Sequence, residues 1–283
     1  LGAGVATGAT ISPHVRSLGE RFRILGRELD PEPVLQRVRA AAEQVGATQF
    51  ETLTAAAFAA FAEARVDAAV VEAGLGGRLD ATNVLRSHVV LLTNVSLEHT
   101  EVLGSTREEI AAEKLAVVQE GTVAVLPDLE FAQLAGPNVR VGGAREAAEA
   151  YLGAGVAPID DVRPPGRLEW REAELRDGAH NLAGAEWLLA QLERDDFTVV
   201  ASILSDKDAE AMLRLLARAG RRLVATTSSN ARALPAAELA RLAAPHFALV
   251  EAFDDPVAAV RRAHELGEPV LVTGSLYLLA DLA

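Results

Sequence analysis

The chain has 283 residues, half of them apolar but only 4% aromatic, and a formal net charge of -13. Such an acidic balance leaves no basic face to neutralise a nucleic-acid backbone, so a nucleic-acid partner is excluded. The lack of any cysteine excludes disulfides and thiolate metal sites.

No apolar run approaches the ~20 residues of a membrane span, and the start lacks the basic and apolar regions of a signal peptide. A cytoplasmic protein without a membrane partner is expected. Leu1-Gly-Ala-Gly-Val-Ala-Thr-Gly-Ala9 begins without Met, as though inside an element, so the chain is expected to be a fragment. The stretch to Leu29 is Gly-rich and then polar, with Ser12-Pro13-His14 and Glu20-Arg21 inside it. Asp30 before Pro31 starts a helix that Gly46 closes. Thr48 and Glu51 form a capping box for an Ala-rich helix to about Glu63. Asp67-Ala-Ala-Val-Val71 reads as a buried strand and leads into Glu72-Ala-Gly-Leu-Gly-Gly-Arg-Leu-Asp-Ala-Thr-Asn83.

His88 to Val95 is a second apolar strand, ending at Ser96-Leu-Glu-His-Thr100. Thr106 and Glu109 cap a helix that carries Lys114 and runs to Gly121. Short strands at Thr122–Leu126 and Val139–Val141 flank a short helix near Phe131, and a helix follows at Ala144–Leu152. Three prolines between Ala157 and Gly166 mark a linker, dividing the chain into domains 1–163 and 164–283. Beyond it, strands at Arg167–Arg176, Phe197–Ser202, Arg222–Thr226, Phe247–Ala252 and Pro269–Thr273 alternate with helices. That alternation predicts a mostly parallel sheet covered on both faces.

Ligands of parallel α/β sheets bind beyond the carboxyl ends of the strands, and the polar clusters fall there. A ligand cleft between the two domains is the expectation. Glu72 and His99 are expected to end adjacent strands, where a carboxylate and an imidazole could share a divalent cation. A rim carboxylate and a loop histidine would read the same way. The run Gly74-Leu-Gly-Gly77 lacks the third glycine of a dinucleotide fingerprint, because Leu79 stands in its place, and a hydride-transfer enzyme is disfavoured. Lys114 is either a snorkelling surface lysine or a group facing phosphates. Arg167 is either an edge-strand charge or a phosphate ligand at the hinge. Asp177, His180 and Asn181 either cap a helix or meet a nucleotide.

These motifs together resemble the signature of the folylpolyglutamate synthase/dihydrofolate synthase family, within the Mur ligase superfamily. The match rests first on Glu72 to Asn83. It continues through Ser12-Pro13-His14, Glu20-Arg21, Glu98-His99-Thr100, Glu113-Lys114, Pro165-Gly166-Arg167, Asp177-Gly-Ala-His-Asn181, Asp206-Lys207-Asp208, Arg232-Ala-Leu-Pro235 and Val272-Thr-Gly-Ser-Leu-Tyr277. The resemblance implies a parallel-sheet, Mur-ligase-like ATPase domain followed by a smaller Rossmann-like α/β glutamate-ligase domain. It implies an ATP- and Mg²⁺-dependent ligase that adds L-glutamate to dihydropteroate or a folyl-glutamate through an acyl phosphate, and a monomer is expected. By the same resemblance, Glu72, His99 and a carbamylated Lys114 are metal ligands. Asn83, Arg167, Asp177 and His180 face the nucleotide, and Lys114, Arg167 and His180 act in catalysis. Ser12, Pro13, His14, Arg78, Asp80 and Ser275 contact the substrates.

Departures from the family pattern temper this. The phosphate loop of the form G-T-N-G-K-G-S is missing, and the region from Lys114 to Arg167 is several dozen residues shorter than the family's. Leu18-Gly19 replaces Phe-Asn, and Glu98 replaces Asp. The chain alone is expected to be inactive. The alternative is a degenerate, non-catalytic member that binds only nucleotide or folate, and a cell-wall peptide ligase is disfavoured.

Overall fold

The computed structural model describes residues 2–97, 99–157 and 164–283. The linker between Ala157 and Gly166 falls largely on 158–163, outside the described residues, and Glu98 also lies outside them. The chain divides into two compact units, Leu1–Asp160 and Asp161–Ala283.

The first unit contains two sheets. One has the order β3-β2-β1-β4, made of β1 (Thr7–Thr10), β2 (Arg23–Ile24), β3 (Arg27–Glu28) and β4 (Ala68–Val71). β1 runs parallel to β4, with Thr7 opposite Ala68 and Thr10 opposite Val71. The Gly-rich opening thus hides a strand. Gly8 is required there because a Cβ would stand 2.6 Å from the Phe61 ring. β4 lies at a sheet edge and is not the buried strand that its composition predicts, since Val70 is 63% exposed.

Helices α1 (Pro31–Val45) and α2 (Gln49–Ala64) pack on one another and form a core with Phe22. Their ends follow the sequence signals. Asp30 accepts from the Glu32 amide, Gly46 takes the left-handed conformation that ends α1, and Thr48 and Glu51 form their capping box.

The second sheet, in the order β5-β6-β7, is wholly parallel. It joins β5 (Val89–Leu91), β6 (Val123–Leu126) and β7 (Val139–Val141). Two short helices, α3 (Thr100–Leu103) and α4 (Arg107–Leu115), stand between β5 and β6, and α5 (Ala144–Leu152) follows β7. α4 stops at Leu115, well short of Gly121. The Thr122 hydroxyl accepts from the Gln119 amide and donates to the Ser87 carbonyl, fixing a turn where the helix was expected to continue.

The second unit is a six-stranded sheet ordered β12-β11-β10-β13-β9-β8. Its elements, in chain order, are β8 (Glu169–Arg171), β9 (Glu174–Arg176), α6 (Leu182–Gln191), β10 (Thr198–Ala201), α7 (Ala209–Leu216), β11 (Arg222–Thr226), α8 (Ala236–Ala243), β12 (Leu249–Phe253), α9 (Pro256–Leu266), β13 (Val270–Thr273) and α10 (Leu276–Asp281). All pairings are parallel except β8 with β9. The single strand expected over Arg167–Arg176 is therefore a hairpin. Leu168 and Glu172 both have positive φ, which no extended strand tolerates. Leu188, Val199, Met212, Leu213, Leu223, Leu239 and Leu271 form the centre of the core at 0–1% exposure. Among the described residues no helix is long and apolar enough to cross a membrane.

Both tryptophans, Trp170 and Trp187, belong to the second unit, so their fluorescence reports its unfolding alone. Truncating fully buried Leu213 to Ala should cost that transition about 2–5 kcal/mol in urea, through lost burial and a residual cavity. An unchanged midpoint would mean that α7 does not seal this core.

Candidate functional site

The parallel register of β1 and β4 brings the two chain exits together. The Glu72 amide donates to the Thr10 carbonyl at 3.1 Å, and the Ser12 amide donates to Glu72 Oε2 at 2.8 Å. The Ser-Pro-His loop is thus tied to the carboxylate that ends β4. Buried Glu20 shapes the rest of this loop by accepting from the amides of Val15 (3.1 Å), Arg16 (2.6 Å) and Ser17 (3.0 Å). Arg21 Nε donates to His14 Nδ1 at 3.1 Å, and its Nη1 reaches Ser12 Oγ at 3.4 Å. Burial, aided by the adjacent Arg21 charge, holds the His14 pKa below 6.5, with Glu20 opposing. The Ser17-x-x-Glu20 spacing is the capping-box pattern, the one sequence signal for Glu20 as an organiser.

The polar heads after Glu72 are largely used within their own turn. Asp80 Oδ2 accepts from the Gly74 and Leu75 amides, both at 2.9 Å, and Oδ1 accepts from the amide and hydroxyl of Thr82. Asn83 Nδ2 donates to the Arg78 carbonyl at 2.9 Å, while its Oδ1 is buried with no hydrogen-bond partner. Arg78 donates to Glu113 on α4 from its Nε (3.2 Å) and its backbone amide (3.1 Å). Sequence reading placed Glu113 only within a motif, without this bracing role. Gly77 lies against the same helix, where a Cβ would stand 2.6 Å from the Lys114 carbonyl and 2.7 Å from that of Glu113. The turn and α4 are therefore in direct contact. A short 3-10 turn at Ala81–Val84, not an α-helix, follows the glycines, in keeping with the missing dinucleotide fingerprint.

The expectation that Glu72 and His99 end adjacent strands is not met. β4 bonds to β1 and β5 bonds to β6, in separate sheets. His99 takes left-handed backbone angles as the residue preceding α3, and its Nδ1 lies 3.9 Å from Glu101 Oε1. Among the described residues, no group of three His, Asp or Glu is close enough to hold a metal. The donor set fits Mg²⁺ in the way this cation is usually held, by one or two carboxylates with water and phosphate oxygens completing its shell. Glu72 is a carboxylate of that kind, with Oε2 accepting from the Ser12 amide. Lys114 is partly buried on α4, and no described residue pairs with its ammonium.

In the second unit the parallel strands place their carboxyl ends along one edge of the sheet. Asp177, Ser202, Thr226, Ser228, Thr273 and Ser275 stand at or just beyond those ends and are all buried. Asp177 has no exposed surface. Its Oδ2 accepts from the Leu168 amide at 3.0 Å and its Oδ1 from the Ala179 amide at 2.9 Å, and Arg167 Nη1 lies 3.9 Å away. Burial pushes its pKa up, against the two amides and Arg167, which favour the charged form. The carboxylate thus bridges two backbone amides, one on each oxygen. Ser275 is 1% exposed, and its hydroxyl caps α10 through the Tyr277 amide at 3.1 Å. His180 Nδ1 lies 2.8 Å from the Gly178 carbonyl, and Asn181 caps α6 through the Gly184 amide at 2.6 Å. Asp206 gathers Lys207 Nζ at 3.2 Å and Arg232 Nη1 at 3.6 Å.

Residues 166–276 match the family model described as "Mur ligase, glutamate ligase domain". The dihydrofolate synthase/folylpolyglutamate synthase of Mycobacterium tuberculosis is 33% identical over 334 residues, an alignment spanning 85% of this chain and 68% of that protein. The chain belongs to the dihydrofolate synthase/folylpolyglutamate synthase family. The Bacillus subtilis relative is 27% identical over 360 residues, covering 99% of this chain and 84% of its own length, so it carries internal residues that these 283 lack. Among solved structures, the M. tuberculosis folylpolyglutamate synthase complexed with ADP and AMPPCP superimposes with a TM-score of 0.88 at 28% identity, over 99% of this chain and 84% of that one. The Yersinia pestis bifunctional enzyme complexed with AMPPNP and Mn ion gives 0.84 at 28% identity, over 99% and 82%.

The packing of Gly77 on α4 carries a direct consequence. Gly77→Ala should destabilise the first unit by about 1–3 kcal/mol through overpacking, read as an earlier far-UV transition that leaves the tryptophan transition in place. A neutral result would show that α4 and the turn can separate without cost.

Proposed function

We propose that this chain carries the ligase chemistry of its family, joining L-glutamate to dihydropteroate or to the terminal glutamate of a folate at the expense of ATP. The observation that supports this best is the tie between the Ser-Pro-His loop and the β4 carboxylate, the Ser12 amide on Glu72 at 2.8 Å. It joins the loop proposed to meet the pterin to the carboxylate proposed to hold the cation by one hydrogen bond. The relatives' structures hold ADP, AMPPCP or AMPPNP, and one of them holds L-glutamate with Mn. ATP and Mg²⁺ are the corresponding cofactors here.

In the proposed reaction, a carboxylate oxygen of the pteroate or folate takes the γ-phosphoryl group and ADP departs. The amine of glutamate then attacks the acyl carbon, loses a proton and expels phosphate. The protein's part is positioning and charge neutralisation. Glu72 and His99 would hold Mg²⁺, which supplies positive charge at the transferring phosphoryl group when bound, and a carbamylated Lys114 would hold a second metal ion. Arg167 offers a partly exposed guanidinium to the phosphates, with Asp177 behind it to set its position. His180 and Asn83 face the nucleotide. Ser12, Pro13 and His14 meet the pterin side, Arg78 and Asp80 act by shaping the turn, and Ser275 orders the loop into α10. The central ATP-binding domain is assigned to 1–163 and the glutamate-ligase domain to 164–283, in a cytoplasmic monomer.

A second reading has its own observation. Neither of the two lysines, Lys114 and Lys207, follows a glycine, and the Gly-rich segment at 2–8 runs into β1 and not from a strand into a helix. Without such a loop the β- and γ-phosphates lose their cradle of amides. On this reading these 283 residues bind nucleotide or folate without turning it over.

A phosphate-release assay separates the two. The ligase reading expects a protein that carries these residues together with the family's phosphate loop to release phosphate from ATP only when glutamate and a pteroate or folate are both present, and to lose at least about 100-fold in Glu72→Ala, the scale of removing a group that sets a metal. Equal turnover with a muramyl substrate, or full activity in Glu72→Ala, would overturn it. Calorimetric binding of nucleotide with no phosphate release would favour the second reading.

A further inference from the structure

Arg21 lies between two fully buried neighbours, Glu20 and Phe22. Its backbone is therefore fixed where its side chain meets the Ser-Pro-His loop. A guanidinium has only donors to offer, so the 3.1 Å contact from Arg21 Nε requires His14 Nδ1 to be an acceptor. In a neutral imidazole one nitrogen accepts and the other carries the proton. His14 must then hold its proton on Nε2, and no described residue hydrogen-bonds that atom. A doubly protonated ring would set Nδ1–H against the Arg21 N–H and lose the contact.

We infer that Arg21 is a positioning residue for His14, holding the imidazole as the neutral Nε2–H tautomer so that the Ser-Pro-His loop presents a hydrogen-bond donor to an acceptor atom of a heteroaromatic or amide-bearing ligand. Glu20 completes the device, because its carboxylate gathers the amides of Val15, Arg16 and Ser17 and so sets the backbone that carries His14. Among the described residues, the charged groups facing the ring are Arg21 and Glu20. Burial and Arg21 disfavour its protonation, and Glu20 weakly favours it. The folded value lies below the unfolded 6.5, so the stability this arrangement contributes is present in full above that pH and is lost as pH falls through the folded value. The ligand side of the inference rests on the folate reading, but the tautomer does not.

The test is ¹⁵N NMR of the imidazole in the 283-residue chain labelled at histidine. At neutral pH, His14 Nδ1 should resonate as an unprotonated, pyridine-like nitrogen and Nε2 as a protonated one, with a titration midpoint below 6.5. In Arg21→Met the midpoint should rise toward 6.5, and Arg21→Lys should restore most of the depression. A proton on Nδ1 in the wild type, or an unmoved midpoint in Arg21→Met, overturns the assignment. If Arg21→Met does not fold, the wild-type tautomer and the Arg21→Lys midpoint still decide it. Pteroic acid is then titrated in. A shift confined to Nε2 supports the donor role, and calorimetric binding that leaves Nε2 unmoved refutes it. No binding at all refutes the folate reading while the tautomer stands on the first measurement.

Discussion

The first unit depends on the parallel pairing of β1 with β4. Parallel strands finish at the same edge, so the segments leaving them, Ile11 to His14 and Glu72 to Gly77, begin side by side. The register is not free to slip, because a one-residue shift would turn every side chain to the opposite face. Gly8 fixes it: the Phe61 ring of α2 occupies the space above this residue, and neither Thr7 nor Ala9 could take its place. The contact between the Ser12 amide and Glu72 follows from that register. It continues the ladder by one step, with a side-chain oxygen standing where a backbone carbonyl would otherwise accept.

The second unit solves a related problem with a different group. A carboxylate without solvent exposure incurs a desolvation cost of several kcal/mol, and it is stable as a charge only if hydrogen bonds and a cation offset that cost. Asp177 has two backbone amides and the Arg167 guanidinium, and the upward push on its pKa indicates that burial outweighs them. Such a group is costly to keep. It joins the turn before β8 to the segment after β9, since Oδ2 takes the Leu168 amide and Oδ1 the Ala179 amide. Gly178 belongs to the same joint. Its amide donates to the Gly166 carbonyl at 2.7 Å, and the Leu276 side chain would stand 2.1 Å from any added Cβ.

Much of this was legible in the residues. The caps of α1 and α2, the strand–helix alternation of the second unit and the gathering of polar residues at strand ends all follow from local chemistry that sequence displays directly. β1 was not legible, because Thr-Gly-Ala-Thr has little strand propensity and its conformation is imposed by pairing with β4 and packing on Phe61. The β8–β9 hairpin was hidden for a similar reason. Its turn carries Glu172 at positive φ, with no glycine or asparagine to announce it. Adjacency of Glu72 and His99 was inferred from strand order, a long-range property that periodicity does not encode. The buried states of Asp177 and Ser275 were missed because a polar residue at a strand end looks the same in sequence whether it faces inward or outward.

The glycine-turn segment shows how a motif can be specific without each of its polar residues being chemical. Asp80 spends both oxygens on the turn, Asn83 donates to the Arg78 carbonyl, and Arg78 grips Glu113. These contacts, with Gly77 pressed on the α4 carbonyls, make the turn and α4 one mechanical piece. Lys114 rides on that piece, and Glu72 stands at its root. The position of α4 relative to the turn is therefore set by backbone packing at Gly77 and by the Arg78–Glu113 contacts. The many polar heads after β4 are thus mostly the frame, because Asp80, Asn83 and Arg78 spend their hydrogen bonds inside the turn or on α4.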